Sequence, residues 1–267
     1  MIAVYQQQFS CRFIVVIDAL FPQSVTYFEE LIYDADPNRD LHLLLASPGG
    51  DGETAIRMLR AAQARCKELT VIVPDQAKSA ATLLTLGAHH ILMGPASDLG
   101  PIDPQFFLPD GNLGSAKDII AAVEDAAQKV QVAPNTYPIY ASLLGDVTAL
   151  MVQQARSALE RTEDQLEEAL RSNPDRKDAE VNRLKLKLKE PLIERPKSHA
   201  ALFGVQDAQK AGLPIQLADL YGEQWQTIWR LWTKYFVLGP SPRVYEGERV
   251  SQVSSWAPQP TDESESS

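Results

Sequence analysis

An α/β fold with a parallel sheet covered on both faces is predicted by the alternating pattern of the first half of the chain. Short apolar runs without strict polar alternation are typical of strands that are buried on both sides, and helical segments separate them. One such segment, 52–66, places Ala55, Leu59, Ala62 and Cys66 near one stripe, as a half-buried helix requires. We therefore expect helices to pack on this sheet.

The elements follow in a regular order. Strands are predicted at 12–19, 41–46, 69–74 and 90–93, with helices at 24–34, 52–66 and 79–87. Closely spaced prolines and glycines predict an ordered loop over 94–114. Further helices are predicted at 115–130, 137–144, 147–171, 177–189, 206–211 and 221–236.

Composition and charge divide the chain into four regions. We expect a core over 1–145, a charged helical arm over 146–190, a C-terminal part of the core with an aromatic helix over 191–237, and a disordered acidic tail over 238–267. The arm is expected to project as an antiparallel hairpin, either solvated or binding a membrane surface or partner. The aromatic helix carries a stripe that indicates core packing or a subunit contact: Trp225, Trp229, Trp232 and Phe236.

The composition also excludes several classes of function. A net charge of −10 argues against nucleic-acid binding, which normally needs a basic patch. The two cysteines, Cys11 and Cys66, lack metal-ligand spacing, so we expect neither a metal nor a cofactor and assign both as buried thiols of a reducing compartment. No signal-peptide pattern is evident, and the apolar run 13–20 is too short to span a membrane. We expect a cytoplasmic protein.

Two small-residue turns carry the chemistry. Ser-Pro-Gly-Gly at 47–50 follows one predicted strand, and Lys78, Ser79 and Ala80 follow the next and begin a helix. A Gly-Gly turn can expose backbone N–H groups, and a serine at a helix N-terminus lies where the dipole favours negative charge. These are the parts of an acyl-transfer site, although a serine at this position also fits a simple N-cap.

Four runs in this order, at 46–52, 77–82, 99–105 and 195–199, resemble the serine dehydrogenase proteinase family. That family belongs to the Clp protease/crotonase superfamily and is related to the signal peptide peptidase A group. The resemblance is strong over 13–105, patchier over 197–217, weak over the arm and absent in the tail. It implies a Clp/crotonase-type ββα spiral with a parallel sheet, a helical-arm insertion and a C-terminal helix.

The resemblance also implies roles for individual residues. Ser79 matches the nucleophile, while the N–H groups of Gly49 or Gly50 and of Ala80 match the oxyanion donors. The stretch where Clp proteases carry their histidine has none here. The Gly-rich lead-in at 111–119 instead resembles the segment that carries the lysine base of the signal peptide peptidase group, and this makes Lys117 the expected base.

Other bases stay open. Lys129 and His199 are the alternatives to Lys117, whereas His89 and His90 come too early in the chain and Lys78 should point away from the serine. Asp103 is expected to bond loop N–H groups.

The resulting expectation is a serine peptidase that cleaves peptides or proteins through an acyl-enzyme and assembles as a homo-oligomer, a trimer or a multiple of one. Two other functions stay open. One is a non-catalytic Clp-fold scaffold or interaction protein, and the other is a crotonase-like acyl-CoA enzyme.

Overall fold

The computed structural model describes residues 1–108, 111, 113–196, 198, 200–239 and 242–255, apart from the side chain of Ser255. The strands are β1 (Cys11–Ile17), β2 (Asp40–Ala46), β3 (Leu69–Val73), β4 (Gln76–Ala77), β5 (His90–Met93), β6 (Asp98–Leu99), β7 (Gln105–Phe107), β8 (Leu113–Ser115), β9 (Phe203–Gly204), β10 (Ile215–Leu217), β11 (Pro242–Glu246) and β12 (Ser251–Ser255). The helices are α1 (Ile2–Phe9), α2 (Ser24–Ile32), α3 (Gly52–Gln63), α4 (Ala80–Leu86), α5 (Ala116–Val132), α6 (Tyr137–Leu143), α7 (Ala149–Arg171), α8 (Asp178–Lys189), α9 (Val205–Ala211) and α10 (Glu223–Phe236).

The central sheet confirms the predicted fold class. Within the described ranges it has seven strands in the order β10-β5-β3-β2-β1-β11-β12. The strands from β10 to β1 run parallel, β11 pairs antiparallel with β1, and β12 pairs antiparallel with β11. Two smaller sheets have the strand orders β4-β6-β9 and β7-β8. The chain is a mixed α/β fold built on a mostly parallel sheet.

Both faces of the central sheet are buried, as the unbroken apolar strands predict. Alternate residues of β1 belong to different clusters: Ile14 and Val16 join the larger core, while Phe13, Val15 and Ile17 join a second one. The larger core includes α2, α3, α4, α7 and α8, and the second includes α1 and α10. This two-sided burial holds the carboxyl ends of the strands in a fixed arrangement.

The predicted charged arm does not project from the domain. The apolar sides of α7 and α8 lie in the larger core, with Leu166, Leu170 and Leu184 fully buried. The connection between the two helices caps the end of α4, because Arg176 donates to the carbonyl oxygens of Leu86 at 2.6 Å and Ala88 at 3.0 Å. Their many charges lie on the outer side of a helix pair that covers the sheet.

The C-terminal segment differs from the predicted disordered tail. The strands β11 and β12 pair with each other, and β11 adds to β1 with Val16 opposite Tyr245. Residues 256–267 of the predicted tail lie outside the described residues. Of the aromatic stripe, Trp225 and Trp232 are buried against the sheet, whereas Trp229 and Phe236 are exposed.

Among the described helices, none combines the length and the apolar composition needed to cross a bilayer.

The C-terminal strands should contribute strongly to stability. Tyr245 is 1% exposed and packs in the larger core, so Tyr245→Ala should lower the free energy of unfolding by about 3–5 kcal/mol. Val253→Ala is the matched control, since Val253 is 42% exposed on the edge strand and should change stability by less than about 0.5 kcal/mol. Denaturant unfolding measures both, and equal effects would contradict this packing.

Candidate active site

Ser79 lies on a strained turn between a strand and a helix. The chain leaves β4, passes Lys78 and enters α4 at Ala80, and Ser79 has φ 48° and ψ −119°. A positive φ in a residue other than glycine costs on the order of 1–3 kcal/mol, so the surrounding structure must hold it. Ser79 occupies the N-cap position of α4, but its side chain makes no capping hydrogen bond to the helix, so the hydroxyl is not used as a cap.

The Gly-Gly turn packs directly against this serine. Both glycines have positive φ, 103° at Gly49 and 141° at Gly50. A Cβ on Gly49 would lie 2.6 Å from the Cβ of Ser79 and 2.7 Å from the carbonyl oxygen of Lys78. A Cβ on Gly50 would lie 2.1 Å from the carbonyl oxygen of Leu20. Only glycine fits at either position, which explains why the backbone can approach the serine so closely.

The backbone N–H groups around Ser79 differ in availability. The N–H of Gly49 donates to the Oγ of Ser47 at 3.1 Å. The N–H groups of Gly50 and Ala80 have no acceptor among the described residues. Ala80 opens α4, where the first N–H groups have no partner within the helix, and its nitrogen would lie 3.2 Å from a Cβ on Gly49. Free donors therefore lie on both turns.

Lys78 is engaged in the core and does not face the serine. Its Nζ forms a buried ion pair with Asp98 and also donates to the carbonyl oxygens of Leu99 and Ala201, both at 3.3 Å. The other carboxylate oxygen of Asp98 accepts from the N–H of Phe203 at 2.8 Å. The expectation that Lys78 points away from Ser79 thus has a structural cause.

Thr82 of α4 stabilises the same turn through hydrogen bonds. Its hydroxyl donates to the carbonyl oxygen of Ala77 at 2.7 Å and accepts from the N–H of Gly100 at 3.1 Å. A Cβ on Gly100 would lie 2.3 Å from the Cδ of Lys78, so glycine is required for the lysine to pass. Loop 94–104 is thereby attached to the serine turn.

Lys117 lines a cavity beside this turn. The cavity has a volume of about 710 Å³, and its walls include Pro48, Lys78, Asp103 and Ser115 as well as Lys117. Lys117 lies in the first turn of α5, and its Nζ donates to the carbonyl oxygen of Pro196. The structure thus brings the expected lysine to the same cavity as Pro48, which precedes Gly49, and Lys78, which precedes Ser79.

Ser115 and Asp103 add polar groups to this cavity. Ser115 is buried, and its Oγ has no hydrogen-bond partner among the described residues. Asp103 is 1% exposed and accepts from the Nε2 of Gln105 at 2.9 Å. The cavity therefore combines a cationic side chain, a buried carboxylate and a buried hydroxyl.

The other candidate bases lie elsewhere or outside the described residues. Lys129 is exposed in the last turn of α5, about 18 Å along the helix from Lys117 at 1.5 Å per residue. His199 lies outside the described residues. His89 accepts from the N–H of Leu69 at 2.9 Å, and His90 pairs with Glu68 at 2.9 Å, so both serve local packing.

The sequence interpretation missed the partners that hold the site. Asp98 pairs with Lys78, and the carbonyl of Pro196 holds Lys117, over separations of 20 and 79 residues. A signal for Asp98 existed, because a lysine predicted between two buried elements needs an acidic partner. Nothing local points to Pro196, since a backbone carbonyl has no sequence signature.

The strain at Ser79 can be measured without any activity assay. Ser79→Gly removes the cost of the positive φ, so it should be more stable than Ser79→Ala by about 0.5–2 kcal/mol. Ser157, exposed within α7, is the control, since glycine there should be about 1 kcal/mol less stable than alanine. Thermal or denaturant unfolding of the four variants tests this, and the same order at both positions would contradict strain at Ser79.

Known proteins similar to this chain were found by sequence and by structure. The family model of the ClpP-like SDH-type serine proteinases matches residues 30–218. An uncharacterized protein of Methanocaldococcus jannaschii is 27% identical over 183 residues, which cover 68% of this chain and 55% of the relative. The chain thus spans about half the length of this curated relative.

Two solved structures are similar. A lysine-to-alanine mutant of the 1510-N membrane-bound stomatin-specific protease, in complex with a substrate peptide, has a TM-score of 0.48 and 14% identity, covering 78% of this chain and 75% of that chain. A serine-to-alanine mutant of the 1510-N protease has a TM-score of 0.34 and 19% identity, covering 41% and 58%.

The family match confirms the predicted family. It includes the Gly-Gly turn, the Ser79 turn and the first turn of α5. With this match over most of its length, the chain belongs to the family of ClpP-like SDH-type serine proteinases.

Proposed function

We propose that this chain cleaves peptide bonds with Ser79 as the nucleophile. The observation that carries the proposal is the packing of Gly49 against Ser79, which places a strained serine beside free backbone N–H groups. A serine on a sharp turn from a strand to a helix presents its hydroxyl at the end of the sheet, where a substrate can reach it. The family membership supplies the reaction class.

The backbone donors define the electrostatic part of the mechanism. We assign the N–H groups of Gly50 and Ala80 to the oxyanion, since that of Gly49 already donates to Ser47. Gly49 instead allows the backbone of the Gly-Gly turn to approach Ser79 closely. Loss of one such donor typically costs about 10²–10³ in rate, because the negative charge develops in a site with little water.

The reaction then follows from these groups. The Oγ of Ser79 attacks the scissile carbonyl carbon while a base accepts its proton, and the carbonyl oxygen becomes the oxyanion. The proton passes to the leaving amine as the C–N bond breaks, which leaves an acyl ester on Ser79. Water hydrolyses this ester, aided by the same base, and restores the hydroxyl.

Lys117 is the base that we assign. It lines the cavity bounded by both turns, and the carbonyl of Pro196 holds its amine. Lys129, by contrast, is exposed at the far end of the same helix. A base must reach the proton that it accepts, and catalytic hydrogen bonds often tighten only when substrate binds.

The oligomeric state and the location form part of the proposal. Exposed apolar side chains of α5, α6 and α7, including Val132, Ile139 and Leu150, support a contact between copies of a homo-oligomer. The cysteines support a reducing compartment such as the cytoplasm, because both Cys11 and Cys66 are free and buried. Burial raises the pKa of each thiol to about 12, so neither is poised to react.

Ser79→Ala should abolish both peptide hydrolysis and labelling by a fluorophosphonate probe. The probe needs an activated serine hydroxyl, and no other group of the site replaces it. Ser157→Ala removes an exposed serine of α7 and should label like the unmodified protein. Full labelling of folded Ser79→Ala would exclude Ser79 as the nucleophile and favour the non-catalytic scaffold.

The two lysines of α5 provide a second test. Lys117→Arg should reduce kcat/KM at least about 10²-fold, because a guanidinium stays protonated and cannot act as a base. Lys129→Arg makes the same exchange at the exposed end of the helix and should leave kcat/KM within about twofold. Peptidase rates of both variants, with circular dichroism as the check on folding, decide the question. Activity retained in Lys117→Arg would transfer the role to another base.

A further inference from the structure

A second cavity adjoins the Gly-Gly turn. It has a volume of about 580 Å³ and shares Pro48 and Gln76 with the cavity that contains Lys117. Pro48 directly precedes Gly49, so both cavities reach the turn that packs against Ser79. A peptide bound at the serine therefore has space for side chains in either cavity.

The C-terminal segment of the chain forms much of this second cavity. Trp232 and Phe236 of α10 line it, with ring centroids 6.0 Å apart, and Pro242 and Arg243 of β11 contribute as well. All four follow residue 218, where the family match ends. The walls of this cavity therefore come partly from a region that the family model does not include.

The charges inside the cavity favour an apolar occupant. Asp18 and Arg243 both line it, but they pair with each other at 2.7 Å, and the hydroxyl of Tyr245 donates to Asp18 at 3.2 Å. Ion-paired groups of this kind leave little net charge for a ligand. Asp75, also in the lining, has no ion-pair partner among the described residues and should repel an acidic side chain.

We propose that this cavity is a specificity subsite that takes a bulky apolar side chain of the substrate peptide and excludes an acidic one. The proposal rests on the proposed peptidase function and adds a substrate preference set by α10 and β11. A volume of this size lies within the range of ligand pockets, about 300–1,000 Å³. Phe236, 65% exposed, lies at the mouth, and Trp232, 8% exposed, lies deeper.

Matched variants on α10 test this subsite. Peptides that differ at a single position, carrying Phe, Leu, Ala or Asp, are cleaved by the full chain, and mass spectrometry locates the cut. We expect one position at which Phe or Leu raises kcat/KM about tenfold or more over Ala, with Asp the poorest. Phe236→Ala should reduce that ratio to about twofold.

Trp229→Ala is the control, because Trp229 is exposed on the same helix and does not line the cavity. It should keep the preference of the unmodified chain. Trp232→Ala should reduce the preference in the same way as Phe236→Ala. If loss of the buried Trp232 prevents folding, the exposed Phe236 still provides the test. Identical preferences in the unmodified chain and in Phe236→Ala would overturn the subsite.

A peptide-binding experiment tests the subsite independently of the peptidase function. The same peptides, labelled with a fluorophore, are titrated against the Ser79→Ala chain with and without Phe236→Ala, and anisotropy reports affinity. Tighter binding of the Phe peptide that is lost with Phe236→Ala supports the subsite even if no cleavage occurs. If cleavage occurs but neither preference nor affinity depends on Phe236, the subsite is wrong and the peptidase function stands.

Discussion

The buried ion pair between Lys78 and Asp98 holds the site together. The two side chains are 11% and 12% exposed, and removing one partner of such a pair costs roughly 3–5 kcal/mol because the other charge stays buried. Lys78 directly precedes Ser79, while Asp98 also accepts from the N–H of Phe203. One contact therefore connects the serine turn, β6 and β9.

The strain at Ser79 depends on this support. A serine with positive φ would relax in a free loop, but Lys78 is anchored on one side and Thr82 on the other. The Gly-Gly turn is in turn tied to Leu20, whose N–H donates to the carbonyl oxygen of Gly49 at 2.7 Å. Both turns are thus held from outside, and their close approach needs no contribution from a substrate.

Local patterns in the sequence predicted the strands β1, β2, β3 and β5, the helices from α2 onward and both turns, because apolar runs and small residues act over a few positions. The helix α1 and the short strands β4 and β6 to β10 were not predicted. The partners of Lys78 and Lys117 were not predictable in this way, since they come from distant parts of the chain. The strands β11 and β12 were missed for a related reason: in a segment rich in proline and serine, β11 is held by pairing with β1 and β12 by pairing with β11. The apolar stripe of α7 was also missed, because charged residues dominate the sequence of this helix. That stripe includes Leu166 and Leu170, which lie one turn apart and are buried.

The order of the chain also has a consequence for synthesis. Ser79 and the Gly-Gly turn emerge early, but Asp98 meets Phe203 only 105 residues later, and α10 and β11 come later still. At about 5–20 residues per second, that contact must wait roughly 5–20 seconds on the ribosome. In a nascent chain Ser79 therefore lies on an unfinished support, and the complete site forms only when most of the polypeptide has been made. The strained turn at Ser79 is therefore completed late in synthesis, although its own residues are made early.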